Sequence, residues 1–146
     1  MQRQLDLTRL LFPEARVALM VSEEAPVWVI SEIKHLQGDD FTVFAKKPED
    51  SLNRALKETL AEHDVLLGTV DSGIYNPSTI KNILITAYRQ NIPLIGPHQA
   101  YIRAGSIATT YSSLADTVKR LAEIIEAETL PKPGYNPYFS VTVNEQ

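Results

Sequence analysis

The sequence has no cysteine among its 146 residues. Disulfides, thiol catalysis and cysteine metal sites are therefore excluded, although this absence does not fix the compartment. No apolar run approaches the roughly 18 residues that a membrane span requires, so membrane insertion is not predicted. The N-terminal residues also lack the uninterrupted apolar stretch of a signal peptide. As given, the chain is expected to stay in the cytoplasm.

Other functional signatures are missing as well. The net charge is −4 and the basic residues are scattered, whereas a nucleic-acid partner requires a clustered basic face. No pair of histidines has metal-ligand spacing, which argues against a metal site. Neither a G-x-S-x-G elbow nor a G-x-G-x-x-G loop occurs. We therefore predict a protein that is not an enzyme and carries no cofactor.

What the sequence does contain is a clear β-α-β pattern at residues 64–96. Residues 65–70 form a short apolar run, as in a strand buried on both faces. Asn76, Pro77 and Ser78 resemble a helix start, and helical spacing follows until Asn91. Asp71 follows the first of the two strands. Because ligands in open α/β sheets bind beyond the carboxyl ends of the strands, Asp71 is the first candidate functional residue.

The same alternation extends over the whole chain. Helices are predicted between the strands. The last long helix is capped by Ser112 or Ser113, and its apolar residues repeat at helical spacing: Leu114, Val118, Leu121, Ala122 and Ile125. The pattern predicts an α/β three-layer sandwich with helices on both faces of a mainly parallel five-stranded sheet in the flavodoxin-like order 2-1-3-4-5. The predicted strands are residues 16–21, 41–45, 65–70, 93–95 and 106–111, and a further strand at 139–143 closes the chain.

We expect one domain over residues 1–146, because this length suits a single core. Residues 1–15 form an entry segment, residues 16–130 the core, and residues 131–146 a proline-rich linker with a terminal strand. That strand either adds to an edge of the sheet or continues into a partner lobe.

Polar residues follow several of the predicted strands. Their side chains would form a polar cleft in which helix N-termini favour anions and carboxylates favour a cation. A zwitterionic or amine-bearing ligand satisfies both. The candidate ligand-binding residues are Ser22, Glu23, Glu24, Asp71, Ser72, His98 and Tyr111.

Several stretches carry a family resemblance. They are GTVDSG, IPLIGP, RAGSIATTY and the terminal LPKPGYNPYFSVTVN. In this order they resemble the C-terminal lobe of type I periplasmic binding proteins, and more narrowly the substrate-binding proteins of ABC transporters in the tryptophan/tyrosine-type uptake group. The resemblance covers roughly residues 5–144, and LTRLLFPEARVALM is similar to the entry into the second lobe.

The resemblance implies a small polar or zwitterionic ligand, such as an aromatic amino acid, clamped between two lobes and delivered to a permease. The loop from Ser22 to Pro26, Asp71 and Asn144 match functional positions of the family. The family's first lobe, signal peptide and final helix are not in the sequence. A fragment of a longer secreted chain would be periplasmic or lipid-anchored outside the cell. A one-lobe relative would instead pair with itself, through exchange of the strand at residues 138–143.

A receiver-like signalling domain is the alternative. Glu23 and Glu24 follow strand one, where receivers keep an acidic pair for magnesium, and Asp71 would be the phosphoacceptor. However, strand four ends in Gly96 and Pro97, where receivers have Ser or Thr. Strand five ends in Tyr111, where they have Lys.

Overall fold

The computed structural model describes residues 1–36, 38–127, 130–132 and 134–145. Helices and strands alternate along the chain as predicted. The helices are α1 (Gln2–Leu11), α2 (Val27–Lys34), α3 (Leu52–Leu60), α4 (Ile80–Arg89), α5 (Ala100–Ala104) and α6 (Leu114–Glu126). The strands are β1 (Val17–Ser22), β2 (Phe41–Lys46), β3 (Val65–Leu67), β4 (Leu94–Gly96), β5 (Ala108–Tyr111) and β6 (Ser140–Val143).

The strands form one six-stranded sheet in the order β2-β1-β3-β4-β5-β6. The first five run parallel in the predicted order. β6 is an additional strand that lies antiparallel to β5 at the edge of the sheet. The α/β class and the mainly parallel sheet are therefore confirmed, and the strand expected at residues 139–143 is β6, which adds to the edge of the five-stranded parallel sheet.

Both faces of the sheet are covered, which gives two apolar cores. One core joins the sheet to α3 and α4 through Leu56, Leu60 and Ile83. The other joins it to α1 and α2 through residues that include Leu5 and Val29. The central strands are buried on both faces, and this explains why β1 and β3 are continuous apolar runs in the sequence.

The terminal strand pairs within its own chain. Val143 lies opposite Ala108 in the register of β5 and β6. Just beyond the strand, the Asn144 backbone N–H donates to the Ile107 carbonyl at 2.8 Å. The structure therefore does not show the predicted exchange of this strand between two copies. The hydrogen bonds to β5 that an exchanged strand would make are already made by β6 of the same chain.

Several predicted boundaries are wrong by a few residues, and two of them lie on either side of Asp71. β3 ends at Leu67, so the predicted residues 68–70 lie outside the strand. α4 begins at Ile80, after a turn in which the Asn76 side chain accepts hydrogen bonds from the backbone N–H groups of Ser78 (3.0 Å) and Thr79 (3.2 Å). Asn76 thus caps a turn before the helix, because its short side chain bonds the backbone two and three residues further on.

The last helix departs furthest from the prediction. Its N-terminus has a capping box, in which Ser113 and Asp116 bond each other's backbone N–H groups. However, α6 has no buried residue, and its apolar stripe faces solvent instead of the sheet. None of the helices in the described part of the chain is long and apolar enough to cross a membrane.

Candidate ligand-binding site

The carboxyl ends of the five parallel strands meet at one edge of the sheet, as parallel topology requires. Two cavities open at this edge. We call them the acidic cavity, beside the ends of β1 and β2, and the aromatic cavity, beside the end of β5. Most of the candidate residues border one of the two, so the predicted single cleft is divided.

Asp71 lies between the ends of β1 and β3 and is only 1% exposed. One carboxylate oxygen accepts the Ser22 backbone N–H at 2.6 Å, and the other accepts the Gly73 backbone N–H at 2.9 Å. These bonds join the end of β1 to the turn that follows β3. Although Asp71 borders the acidic cavity, its carboxylate is used by the backbone.

Gly73 has a steric reason to lack a side chain. A Cβ at this position would approach the Ser22 hydroxyl oxygen to 2.8 Å and an Asp71 carboxylate oxygen to 3.1 Å. Distances this short would force the Asp71 turn to shift. The turn therefore depends on a carboxylate and a glycine two residues apart, and the VDSG sequence supplies both.

The acidic cavity has a volume of about 330 Å³. It is bordered by exposed Glu23 and Glu24 on one side, by Ser72 beyond the Asp71 turn, and by Lys46 at the end of β2. The Lys46 ammonium group donates to the Lys47 carbonyl at 2.7 Å. This cavity is polar and has no aromatic wall, so it suits a small cation or amine better than an apolar group.

The aromatic cavity has a volume of about 270 Å³. Trp28 from α2, Tyr111 from the end of β5 and Tyr135 from the linker supply ring surfaces, while Arg3 and Glu32 supply opposite charges. The sequence prediction included only Tyr111 of these five. The others come from segments that are distant in sequence, and no local pattern marks them.

Hydrogen bonds hold these walls in place. The Tyr135 hydroxyl donates to a Glu32 carboxylate oxygen at 2.9 Å, which ties the linker to α2. Partial burial, followed by this hydrogen bond, raises the pKa of Tyr135, so its hydroxyl stays protonated at neutral pH. Arg3 donates to the Asn136 carbonyl and lies over the Phe139 ring, 4.3 Å from its centroid.

The floor of this edge is fixed by Gln4, which is buried. Its side-chain amide donates to the Gly68 carbonyl at 3.0 Å and to the Gly96 carbonyl at 2.9 Å. Gly68 and Gly96 follow or end the two central strands, where the sheet no longer satisfies every carbonyl. One side chain of α1 thus bonds both groups and holds α1 at the carboxyl edge, while the Thr109 hydroxyl is a second donor to the Gly96 carbonyl at 2.7 Å.

His98 contributes to neither cavity. It is exposed after β4, and its ring contacts Tyr101 edge-on with the centroids 4.7 Å apart. Among the described residues, no group of three His, Asp or Glu side chains converges as a metal ion would require. The seven candidates are therefore distributed as five around the acidic cavity, Tyr111 in the aromatic cavity and His98 outside both.

Neither a family model nor a curated protein matches this sequence. Solved structures do share the fold. A substrate-binding protein with adhesive properties from Clostridium difficile has a TM-score of 0.73 and 18% identity, over 98% of this chain and 52% of that one. An ABC domain from Streptococcus pneumoniae in complex with L-Trp has a TM-score of 0.67 and 15% identity, over 99% and 54%.

A glucose-galactose binding protein from Geobacillus stearothermophilus is a third neighbour. It has a TM-score of 0.55 and 13% identity, over 98% of this chain and 58% of that one. This chain therefore spans about half the length of these neighbours. At such identities the likeness establishes the fold of one lobe of these binding proteins. One of these neighbours is bound to an amino acid and another is a sugar-binding protein, so the fold alone does not identify a ligand.

Proposed function

We propose that this chain is a solute-binding lobe of the kind used by ABC transporters, and that it binds a small zwitterion without catalysing a reaction. The observation that carries the proposal is the aromatic cavity, where ring surfaces and opposite charges meet at the carboxyl edge of the sheet. Ligands of open α/β sheets bind at this edge. Substrate-binding proteins among the structural neighbours support the same assignment.

Of the two cavities, the aromatic cavity is the better ligand site. Small-molecule sites combine mainly apolar and aromatic walls with a few fixed polar groups, in volumes upward of about 300 Å³. The aromatic cavity, at about 270 Å³, lies just below this range and suits a small solute. The acidic cavity lacks an aromatic wall, and Asp71, its most buried carboxylate, is already bonded to the backbone.

The lining groups match an aromatic amino acid. One Glu32 carboxylate oxygen already accepts from the Met1 ammonium group and from the Tyr135 hydroxyl, so the second oxygen is the one that can accept from a ligand ammonium group. A guanidinium group has five N–H donors, so Arg3 retains donors for a ligand carboxylate. Trp28 and Tyr111 offer ring faces for an aromatic side chain. A ligand of the tryptophan/tyrosine type is therefore the one that we propose.

The partners follow from the one-sided geometry. A single lobe leaves much of the ligand in water, and closure of a second lobe would bury it. We propose that the full binding unit uses either an N-terminal lobe or a second copy of this chain, and that a permease receives the solute. Such a unit would work outside the cytoplasmic membrane.

No observation favours the receiver alternative. A phosphoacceptor aspartate must be reachable by a phosphoryl donor, whereas Asp71 is 1% exposed and both of its carboxylate oxygens accept backbone N–H bonds. Asp71 also lies four residues beyond the last residue of β3. These features describe a turn residue.

A thermal-shift titration tests the proposal. L-phenylalanine at about ten times its Kd should stabilise the protein by about 1.4 kcal/mol, because binding to the folded state adds RT ln(1 + [L]/Kd). Phenethylamine and 3-phenylpropionate, which each lack one charge, should give smaller shifts. If both analogues give the same shift as L-phenylalanine, then Arg3 and Glu32 do not bind the two charged groups of the ligand.

A pair of variants locates the site. Trp28→Ala should weaken binding by about tenfold, since it removes one ring wall. Tyr88→Ala is the matched control, because Tyr88 is an exposed aromatic residue of α4 that borders neither cavity. Equal affinities for the two variants would place the ligand elsewhere.

A further inference from the structure

α6 presents its polar side to the rest of the protein and most of its apolar side to solvent. Leu121 and Ile124 also border a cavity against linker residues that include Leu130. On the polar side, Glu123 accepts a hydrogen bond from the Tyr138 hydroxyl, and the Lys119 ammonium nitrogen lies 3.9 Å from the centroid of the Tyr138 ring. Asp116 and Arg120 are half-buried on the same side. An amphipathic helix normally does the reverse, because its apolar stripe is the part that gains from burial.

The outward side carries what we call the α6 stripe: Leu114, Val118, Leu121 and Ile125. These side chains are 81%, 56%, 56% and 68% exposed, in that order. Successive members are four, three and four residues apart, which is the spacing of the a and d positions in a helix that pairs with another helix. The positions beside the stripe hold Ala115 and Ala122 on one side and Thr117 and Ile124 on the other.

We propose that a second copy of this chain covers the α6 stripe, with the two α6 helices packed antiparallel about a two-fold axis. The axis passes between Val118 and Leu121. Val118 of each copy then packs against Leu121 of the other, and Leu114 against Ile125. The stripe is self-complementary in this arrangement because its two halves have the same spacing, as an isologous interface requires.

Charge favours this partner. The four positions beside the stripe are uncharged, so two identical surfaces do not repel each other. α6 has no basic residue in its last turn, where the helix dipole is negative, and Glu126 adds a further negative charge there. In an antiparallel pair the two helix dipoles run in opposite directions, which is the favourable arrangement, although Asp116 in the first turn already offsets part of the positive N-terminal end.

The contact area limits the affinity. A helix of 13 residues is about 20 Å long and about 10 Å wide with its side chains. One face of it falls well short of the ~800 Å² per partner of a standard interface. We therefore expect a dimer that dissociates on the order of 100 μM rather than a permanent one. No residue of the stripe lines the acidic or the aromatic cavity, so this inference does not rest on the ligand site.

Sedimentation equilibrium over a range of protein concentrations tests the dimer. The wild type should shift from monomer to dimer, and Leu121→Arg should raise the dissociation constant at least tenfold. Leu10→Arg is the matched control, because Leu10 is an exposed leucine of α1, outside the stripe. A wild type that stays monomeric at millimolar concentration, or equal dissociation constants for the two variants, would overturn the proposal.

Cross-linking tests the antiparallel geometry. Because the chain has no cysteine, Val118→Cys and Leu114→Cys each introduce a single thiol. In the antiparallel pair the two copies of residue 118 are offset by about 5 Å along the axis, and the two copies of residue 114 by about 16 Å. A short thiol-specific cross-linker should therefore join the first variant and not the second. Linkage of both variants, or of neither, contradicts the arrangement.

Discussion

Asp71→Ala is expected to destabilise the protein and to leave the ligand site largely intact. The wild-type carboxylate accepts two backbone N–H bonds and is almost fully buried. Hydrogen bonds to a charged group contribute about 1.5–3 kcal/mol each. Gly73 is exposed, so its N–H can bond water after the substitution. Ser22 is half-buried, so the loss of its hydrogen bond costs more stability.

These terms give an expected loss of about 2–4 kcal/mol in the free energy of unfolding. For a chain of this size the melting temperature should fall by roughly 6–12 °C. Urea denaturation followed by circular dichroism measures the change directly. Asp71→Asn keeps one carbonyl oxygen as an acceptor, so it should recover part of the loss.

Glu24→Ala is the matched control, because Glu24 is an exposed acid beside the same cavity. Its removal should change stability by no more than about 0.5 kcal/mol. The reasoning fails if Asp71→Ala is as stable as Glu24→Ala. Loss of L-phenylalanine binding with unchanged stability would restore Asp71 as a ligand-binding residue.

Three further substitutions test the fold. Gly96→Ala should cost about 1–3 kcal/mol in urea denaturation, because a Cβ there would lie 2.5 Å from the Tyr101 Cβ. Ser113→Ala should cost about 1 kcal/mol by removing the cap of α6. Arg9→Gln should cost at most about 1 kcal/mol at pH 7. The Arg9 guanidinium lowers the pKa of Asp40, so this pair's contribution is present above about pH 4 and disappears as the pH falls through the lowered value.

Much of the fold was predictable because its signals are local. Gly105 ends α5 with φ +116, a conformation that glycine adopts without strain, so the end of this helix is encoded by a single residue. The apolar run at residues 65–70 locates β3, but it does not locate the end of the strand. The Gly68 backbone N–H still donates to the Ile95 carbonyl at 2.9 Å, but β3 ends at Leu67 because its neighbour β4 is only three residues long.

The site was harder to predict because it depends on packing between distant segments. The aromatic cavity brings together α1, α2, the end of β5 and the linker. Sequence reasoning pointed, from the strand ends alone, to the edge of the sheet at which both cavities open. It could not foresee that Asp71 would turn its carboxylate to the backbone, since an aspartate after a strand is compatible with either role.

α6 shows a second feature that depends on packing and that the sequence alone does not predict. Periodicity correctly identified the apolar stripe that includes Leu114 and Ile125, but it does not say what the stripe packs against. The helix instead contacts Tyr138 through its polar side. Glu123 accepts a hydrogen bond from the Tyr138 hydroxyl, and the Lys119 ammonium group lies over the Tyr138 ring. A helical pattern therefore predicts which face of a helix is apolar, but it does not identify what packs against that face.

Trp28 is the only tryptophan in the chain, and it lines the aromatic cavity. Its fluorescence therefore reports on the proposed ligand site without a label. Titration with L-phenylalanine, which does not absorb at the excitation wavelength of tryptophan, should give a saturable change in the Trp28 emission. 3-Phenylpropionate should require a higher concentration to give the same change. The absence of a saturable change in a protein that is folded by circular dichroism would contradict the assignment of this cavity as the ligand site.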